Sequence, residues 1–491
     1  MKRKRNLFSE EGNILIMSVV IVALLVATGM GYMRWSADER WDTAYEQATV
    51  QAYFLAQAGL IEKGLLYLRT RKPSELPAAT VYLTPGYIRD AGLYHKVKVV
   101  RVNNMGEDNV FQRSDTYDIF ATGRAEFWNH QLGNRNYGQP VKVERTAKLR
   151  ARLRSFSNYM YLTNFETTDY DEIIWFWTYD TLYGRTHSND YIGLKYSPHF
   201  YGPISTCQDR FVYFGQDNPY FAYPPQFNVP PVLFPRTAET LRANAHWIDD
   251  GGGRYMTRVW MRGAAGIVTY QYELGAEPPP LYGMAIDELQ NVQRFQPPGW
   301  GAIFVDGQAE VYGEVYGNLT VGTSGNMWLV DNIYYADARE ADGYFDWRAA
   351  VHMLGLVSES NIIIKDNWYN GRENGFRTHH AAAIEWHSIT ITAGMVALNQ
   401  SFTFQHQNDD WEAYQGPTPD ERGIIHLRGA VTQWRRGYVH RSNHIGTGYG
   451  KDYHYDFRFD ERPPPFYLEA MDEEGHGLFD IISWGELGPG E

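Results

Sequence analysis

Two acidic clusters contain the residue types that glycosidases use, because those enzymes need a carboxylic acid and a carboxylate flanking the scissile bond. The first cluster is Asp169 with Asp171 and Glu172, and the second is the acidic run 472–474. Both clusters lie in polar stretches that are typical of loops. The sequence therefore favours solvated loops over a hydrolytic pair at either place.

A histidine-rich stretch offers side chains that can bind metals. His379 and His380 are followed by Glu385 and His387. This spacing matches no helical zinc motif, which needs two histidines four residues apart on one helix face. The GxxxxGK[ST] run and the glycine fingerprint that hold nucleotides are also missing from the sequence. We therefore expect no metal site and no cofactor.

The run 187–190 has the sequence His-Ser-Asn-Asp, which contains the residue types of a hydrolase triad. A triad is defined by its geometry in space and not by adjacency in sequence. Asn and Asp also suit tight turns, because their side chains bond to the nearby backbone. We interpret the run as a corner between short strands and expect a protein that is not an enzyme.

Aromatic side chains are the better candidates for a binding role. They form two clusters: Trp175, Phe176, Trp177 and Tyr179, and then Tyr213, Phe214, Tyr220, Phe221 and Tyr223. Flat rings stack on sugars or mark interaction surfaces, although rings equally fill the ends of a strand stack. We take Trp175, Trp177 and Tyr179 as candidates for contact with a glycan or another surface ligand.

The composition excludes several classes of protein. The 491 residues include 58 acidic and 45 basic side chains, for a net charge of −13. A nucleic-acid partner is therefore not expected, because such binding needs a basic face to displace counterions. A single cysteine, Cys207, excludes an intramolecular disulfide and a cysteine-rich zinc site. At roughly 100–200 residues per domain, the length predicts two to four domains.

The N-terminus predicts a membrane anchor. Four basic residues at positions 2–5 precede the uncharged apolar stretch Ile14–Met33, and about 20 apolar residues suffice to cross a bilayer. The positive-inside rule then places residue 1 in the cytoplasm and the remaining chain outside. A cleaved secretory signal fits less well, because its apolar core is about 7–15 residues and ends at small residues.

The predicted helix continues beyond the membrane as an amphipathic segment. Its apolar positions recur every three or four residues: Trp41, Ala44, Tyr45, Ala48, Ala52, Leu55, Ala56 and Gly59. Such a helix would be roughly 85 Å long at 1.5 Å per residue, whereas the hydrocarbon core is about 30 Å thick. The outer part therefore needs another surface to cover this packing stripe.

The N-terminus resembles the type IV pilin and pseudopilin superfamily. Gly12 fits the glycine that ends the family's basic leader, and Asn13 would be the first mature residue. The resemblance implies cleavage after Gly12 by a membrane prepilin peptidase and N-methylation of Asn13. It also implies assembly with other pilin-like subunits, residence in the inner membrane before assembly, and an extracellular filament or cell-surface location afterwards.

One position departs from the family pattern. Most pilins carry Glu at the fifth mature position, which here is Met17. A lone carboxylate in lipid is costly, so Met17 eases membrane residence but removes the group that pairs with a neighbour's terminal amine. Among pseudopilins this loss is typical of tip subunits. The alternative is an ordinary single-pass anchor that is never cut.

The rest of the sequence predicts β structure. Val141, Val143, Ala147, Leu149, Ala151 and Leu153 alternate with charged residues, which is the period of a strand with one buried face. Further on, Ile303, Val311, Leu319 and Met327 recur eight residues apart between turn residues. Repeated short strands with such corners favour a β-solenoid, although a β-sandwich or jelly roll stays open. A short helix is predicted over Thr237–Asp249.

These β regions resemble a bacterial domain family of unassigned activity, often found behind pilin-like anchors. The matching stretches are YGRTHSNDYIGL, PHFYGPIST, AIFVDGQAEVYGEVYGNLTVGTSGN, YYADA, LGLVSESNIII and GKDYHYDFRFDERPPP. The family has no known catalytic residues, so none is implied here.

We therefore expect an α+β fold, with a long N-terminal transmembrane helix packed on an antiparallel sheet and then a large, mostly β domain. The predicted division is a leader at 1–12, the pilin-like helix at 13–72, the antiparallel sheet at 73–158, a β-rich domain with connecting loops at 159–300 and a β-solenoid-like domain at 301–491. The expected function is that of a minor or tip pilin that displays its β domain. The alternatives are a tethered polysaccharide-binding or polysaccharide-acting β-helix and an anchored binding protein outside any filament.

Overall fold

The computed structural model describes residues 10–102, 116–131, 134–168, 170–178, 180–299, 301–338, 350–370, 388–405, 421–441 and 447–488. The fold is α+β, as predicted: a long N-terminal helix is followed by a large region that is mostly β. Six strands form one antiparallel sheet, and most of the others pair in parallel.

One continuous helix opens the chain. It consists of α1 (Glu10–Ala58), a π-helical segment (Gly59–Leu65) and α2 (Leu66–Arg69). The stretch from Ile14 is long and apolar enough to cross a membrane. Its large apolar side chains up to Met33 are each at least half exposed, so none of the described residues covers this part. A third helix, α3, spans Glu239–Asn244.

The strands of the first half of the chain are short after the opening sheet. In order they are β1 (Val81–Tyr82), β2 (Gly86–Ile88), β3 (Gly92–Arg101), β4 (Thr116–Trp128), β5 (Pro140–Leu153), β6 (Tyr161–Phe165), β7 (Thr181–Leu182), β8 (Thr186–Ser188), β9 (Gly193–Leu194), β10 (His199–Phe200), β11 (Ile204–Thr206), β12 (Val212–Tyr213), β13 (Tyr220–Phe221), β14 (His246–Asp249), β15 (Tyr255–Arg262) and β16 (Ile267–Glu273).

The strands of the second half are longer on average. They are β17 (Gln290–Phe295), β18 (Gly301–Asp306), β19 (Ala309–Val315), β20 (Asn318–Thr323), β21 (Met327–Tyr335), β22 (Met353–Ser358), β23 (Ile362–Ile364), β24 (Ile389–Ala397), β25 (Phe402–Phe404), β26 (Glu421–Arg435), β27 (His440–Arg441), β28 (Thr447–Tyr455) and β29 (Phe479–Glu486). Single 3₁₀ turns lie at Pro73–Glu75, Phe156–Asn158, Gly263–Ala265, Ile286–Glu288, Trp368–Asn370 and Phe457–Asp460.

The second part of the long helix packs on the antiparallel sheet. Its strand order is β1-β3-β4-β5-β29, with β2 beside β3. Ala56, Leu60 and Leu68 share a buried cluster with residues of β3, β4 and β5. Gly123 of β4 allows the closest approach, because a Cβ there would lie 2.0 Å from the carbonyl oxygen of Ala52. The apolar face of the sheet thus covers the helix.

The last strand of this sheet comes from the other end of the chain. β29 pairs antiparallel with β5, with Phe479 opposite Leu153 and Trp484 opposite Leu149. The predicted division assigns this segment to the final β domain, whereas its partner strand β5 lies in the region 73–158. Phe479 is buried among the sheet residues, and this burial gives the strand its place in the first sheet.

The remaining strands stack in parallel layers. Gly301 pairs with Leu319 and Ala309 with Met327, 18 residues further along in each case. The predicted eight-residue period is therefore the step from one strand to the next within a layer, and not a whole layer. Each layer contributes buried side chains that lie in register with those of the next: Ile303, Val321, Leu356, Met395, Val431 and Tyr161 on one face, and Val259, Val311, Leu329, Ile364 and Phe404 on another.

The stack joins two distant parts of the chain. β26 pairs in parallel with β6 as well as with β24 and β28, and β6 continues into β8 and β11. At the other end β14 pairs with β18 across the predicted boundary at residue 300. The regions 159–300 and 301–491 therefore share one stack of strands. We call the junction of β26 and β28 with β6 and β7 the seam.

The predicted helix over Thr237–Asp249 is shorter in the structure. Helix α3 ends at Asn244, and β14 begins at His246. Leu241 packs from the helix onto Phe304, whereas Ile248 enters the stack core. The helical spacing of apolar residues correctly predicted a helix as far as Asn244. The residues from His246 to Asp249 form a strand instead, because they pair with β18.

Candidate binding cleft

Two cavities adjoin at the seam. The smaller chamber has a volume of about 230 Å³, and the larger has about 350 Å³. Arg436, Gly437, Val439 and Lys451 line both chambers. We call the two together the seam cleft. Its lining comes mostly from residues 172–177, 180–183, 431–440 and 451–454, so the site exists only because the stack joins distant parts of the chain.

Arg436 ties the two segments together from beneath the cleft. It is almost fully buried, and its guanidinium donates to Oε2 of Glu166 at 2.8 Å and to the carbonyl oxygen of Ile174 at 2.9 Å. The same group lies 3.8 Å from the ring centroid of Phe176. Burial alone would disfavour the charge, but Tyr161 and Glu166 raise the pKa of Arg436, so the guanidinium is charged.

A second charged pair crosses the cleft. Nζ of Lys451 donates to Oδ1 of Asp180 at 2.8 Å. The other oxygen, Oδ2, accepts the backbone N–H of Trp177 at 3.0 Å. Asp180 is buried, so both contacts form in a weakly screened environment. One carboxylate therefore links the two segments and fixes the backbone beside Trp177.

Two of the three aromatic candidates from the sequence line the larger chamber. Trp175 and Trp177 are both half-buried there. The Trp177 ring stacks on His440 with centroids 6.2 Å apart, and Trp175 packs edge to face on Phe214 at 5.5 Å. Burial and the nearby Lys451 lower the pKa of His440. The third candidate, Tyr179, lies outside the described residues.

The smaller chamber contains another carboxylate, Asp452. Arg428 donates to it at 2.8 Å, and ring nitrogens of His426 and His454 lie 2.9 Å from its oxygens. Burial on its own would raise the pKa of Asp452, but these three partners lower it well below its usual range. Asp452 is therefore an ionised acceptor and cannot serve as a proton donor near neutral pH.

A stack of aromatic rings borders the smaller chamber. The ring centroids of His454 and Tyr183 are 5.1 Å apart, and those of Tyr183 and Tyr201 are 5.0 Å apart, with nearly parallel planes. This separation follows the spacing of paired strands, about 4.7–4.9 Å. Because the rings cover one another's faces, the stack stiffens the rim.

The run 187–190 forms a polar corner outside the lining of the cleft. His187 is buried, with Nδ1 2.8 Å from Oγ of Ser205 and Nε2 3.1 Å from Oδ1 of Asn189. Sγ of Cys207 lies 3.8 Å from the same Nε2. Burial lowers the pKa of His187 to about 4 and raises that of Cys207 to about 11. Both groups are uncharged at neutral pH, which is the opposite of an activated thiolate pair.

The acidic runs lie in turns. Asp472 accepts the backbone N–H groups of Glu474 and His476, as is typical of a hairpin turn. The side chains of these three residues lie close enough to share a cation, but Asp472 already caps the turn. Asp171 and Glu172 are exposed. Asp169 and the histidine-rich stretch 379–387 lie outside the described residues.

The predicted anchor residues all fall on the long helix. Gly12 and Asn13 lie near its start, and Met17 is exposed in the apolar part. Trp41 and Tyr45 stack on each other and contact Phe127 of β4. The rest of the packing stripe lies against the sheet: Ala44 is half-buried, and Ala48, Ala52, Leu55, Ala56 and Gly59 are buried.

Sequence reasoning missed the charged residues of the cleft. Arg436 and Lys451 contact partners 270 and 271 residues away. A pattern within a short stretch of sequence cannot predict contacts between residues that lie so far apart in the chain. Asp180 follows directly on the aromatic cluster, and this adjacency was the one available signal.

Comparisons with known proteins give little guidance. No family model matches the sequence, and no curated protein matches it. One solved structure with similarity is the competence-associated pilin ComZ from Thermus thermophilus, at 11% sequence identity and a TM-score of 0.34. The alignment covers 90% of this chain and 97% of that chain. Similarity at this level assigns neither a shared fold nor a function.

Proposed function

We propose that this protein is a pilin-like subunit of a type IV pilus or a type II secretion-like filament, in a minor or tip position. The proposal rests on the long helix, which has one exposed apolar part and one part packed on the sheet. Its apolar first part, Ile14–Met33, is exposed, whereas Ala48 and the residues after it pack on the sheet. A simple membrane anchor needs only the first part. A subunit that packs its helix against neighbours needs both.

The same helix explains how the subunit would assemble. The inner membrane holds Ile14–Met33 before assembly, with the C-terminal region outside. Prepilin peptidase cuts between Gly12 and Asn13, and Asn13 becomes methylated. In the filament, the apolar surface that lipid covered packs against other pilin-like subunits. Met17 has no carboxylate to pair with a neighbour above it, which suits a tip position.

The β region would be carried outward as a display domain. Its parallel layers, with side chains in register, are the arrangement of a β-solenoid. Its role would be surface interaction, such as adhesion, and not catalysis. A glycosidase needs a carboxylic acid with a raised pKa, whereas in the lining of the cleft the pKa of Asp452 is lowered and Asp180 is paired with Lys451. Burial raises the pKa of Glu166, but this carboxyl lies behind Arg436 and lines neither chamber. The cleft therefore favours binding over hydrolysis.

The intact mass of the protein tests the proposal. It is measured after expression with an active prepilin peptidase and with an inactive one. Loss of residues 1–12, together with methylation of Asn13, is expected only with the active enzyme. A Gly12→Val variant is the matched control and should stay uncut. An uncut wild-type chain in both strains would overturn the pilin assignment and leave an uncleaved single-pass anchor.

A second measurement separates a filament subunit from an anchored binding protein. Filaments are sheared from cells and probed for the processed chain. A filament subunit should appear in the sheared fraction. A chain that is processed but stays entirely with the membrane would contradict assembly.

A further inference from the structure

The seam cleft has the size and lining of a ligand site. Its larger chamber, at about 350 Å³, falls in the range of small-molecule sites, roughly 300–1,000 Å³. It combines aromatic walls with a few buried polar groups, which is the usual composition of such sites. We propose that the seam cleft binds an uncharged saccharide chain. This deepens the proposed display function by naming the ligand class, but it does not depend on filament assembly.

Charge balance selects an uncharged ligand. Positive and negative side chains balance in the lining of the cleft: Arg436 is paired with the buried Glu166, and Lys451 with Asp180. Arg428 pairs with Asp452 in the same way. Lys195 and Glu172, which also line the larger chamber, add one basic and one acidic side chain. An ionic ligand that contacts these pairs would have to compete with them and would leave one of their charges without compensation.

Sugar hydroxyls fit the same pairs without breaking them. A hydroxyl donates one hydrogen bond and accepts others, so it can donate to a carboxylate such as Asp452 and accept from an ammonium such as Lys451. Hydrogen bonds to charged groups are the stronger class. The cleft therefore offers hydroxyl groups both kinds of partner within one opening.

The aromatic wall supplies the apolar half of the contact. A sugar ring exposes C–H groups on its faces, and indole rings bury such surface well. Trp175 and Trp177 bring two indoles to the larger chamber. Carbohydrate is thus the ligand class that uses both the indoles and the balanced polar groups.

The indoles are fixed before any ligand arrives. Arg436 donates to the carbonyl oxygens of Ile174 and Trp175, and Asp180 accepts the backbone N–H of Trp177. The segment that carries both rings is therefore held by two buried charged groups. Affinity gains from this arrangement, because little wall structure has to be ordered on binding.

Direct binding to the full chain tests the proposal. The protein is held in micelles of a detergent without a sugar headgroup, so that the detergent cannot occupy the cleft. The probes are the neutral hexasaccharides cellohexaose, maltohexaose, mannohexaose and chitohexaose, with hexagalacturonate as the charged comparison. Binding is followed by calorimetry and by tryptophan fluorescence. At least one neutral probe should bind, and about tenfold more tightly than hexagalacturonate.

Matched variants locate the site. Trp177→Ala should weaken binding of the neutral probe about tenfold. Trp128→Ala, an exposed tryptophan on the antiparallel sheet, should change it less than about twofold. The urea midpoint of each variant shows whether it is folded. If W177A is destabilised, Trp175→Ala provides the second variant and should also weaken binding.

Several results would overturn the proposal. They are failure of wild type to bind any of the four neutral probes, tighter binding of hexagalacturonate, or unchanged binding in both folded W177A and W175A. Leader processing is read separately by intact mass. A processed chain that binds no saccharide overturns this inference alone, and an uncut chain that binds saccharide overturns the pilin assignment alone.

Discussion

Nζ of Lys451 lies 2.8 Å from Oδ1 of Asp180, across 271 residues of sequence. This ion pair forms where β26 and β28 meet the strands laid down by residues 161–221. The chain therefore closes a very long loop at the seam, and contacts of high sequence separation are slow to form. The cleft is complete only after the last layers have joined the first.

Replacing Arg436 tests how strongly the seam depends on its buried ion pair. Arg436→Met leaves Glu166 buried without a cation, and breaking a buried pair in this way costs about 3–5 kcal/mol. The urea midpoint of the full chain in micelles should fall accordingly. Adding Glu166→Gln to the same chain should restore much of the loss, because the uncompensated charge is then removed.

An exposed arginine provides the comparison for that variant. Arg254 pairs with Glu273 on the surface, where water screens the charges. Arg254→Met should leave the urea midpoint nearly unchanged. An equal fall of the urea midpoint in Arg436→Met and Arg254→Met would show that the buried pair stabilises the protein no more than the exposed one.

The sequence predicted the elements whose signal is local. A stripe of small and apolar residues indicated the packed part of the helix, and alternation in β5 indicated the sheet that covers it. The eight-residue spacing revealed the stack, but not that a layer takes 18 residues, because pairing between layers is not local. Strand β29 was missed for the same reason, since its partner β5 lies more than 300 residues earlier.

The residues of the cleft were likewise predictable only where their signal is local. Trp175 and Trp177 were predicted because clustered aromatic rings stand out in sequence. Their positioning groups, Arg436 and Asp180, look like ordinary surface charges until the fold brings them together. Charge pairing across the seam, on which the proposed ligand class rests, is a property of the folded chain alone.

Gly123→Ala tests the contact between helix and sheet. The added Cβ would lie 2.0 Å from the carbonyl oxygen of Ala52 and 2.4 Å from the nitrogen of Ala56, so the helix must shift. Overpacking of this kind costs about 1–3 kcal/mol. Hydrogen exchange of the helix amides near Ala52 should accelerate. Gly485→Ala in the same sheet meets nothing within 4 Å and should leave exchange unchanged.

Asp480→Asn tests how β29 is joined to the residues that follow β5 and precede β8. Asp480 accepts from Arg154 at 2.5 and 3.1 Å and from Arg185 at 3.2 Å. Burial would raise its pKa, but these arginines lower it. The substitution should cost about 2 kcal/mol at pH 7. Urea midpoints at several pH values measure this loss.

The pH dependence of that variant has a definite sign. Because the pKa of Asp480 is lowered in the fold, its stabilisation is present above about pH 4 and is lost as the pH falls below that value. Wild type and D480N should therefore converge in acid. Asp209→Asn, in an exposed pair with Arg210, should match wild type throughout. A D480N deficit that persists at pH 2 would point to packing and not to charge.

His187 predicts a separate pH dependence. Its pKa is about 4 in the fold and about 6.5 in the unfolded chain, so between these values the unfolded chain binds more protons. The contribution of neutral His187 to the free energy of unfolding is complete above pH 6.5. This free energy falls by about 3 kcal/mol as the pH drops to 4. His187→Gln should reduce this slope of stability against pH, whereas His130→Gln, an exposed position, should not.

Cys207 tests whether the polar corner around His187 is chemically inert. Burial raises the pKa of its thiol to about 11, so about one molecule in a thousand carries a thiolate at pH 8, against about a quarter for an unperturbed cysteine. Since the chain has one cysteine, its reaction with a disulfide reagent reports this site alone. The native protein should react about a hundredfold more slowly than the same protein in urea, because the thiolate is the nucleophile. A faster reaction in the native state than in urea would contradict the assignment of the corner as structural. If the His187→Gln variant then lost this fast reaction, the result would identify an activated thiol–imidazole pair.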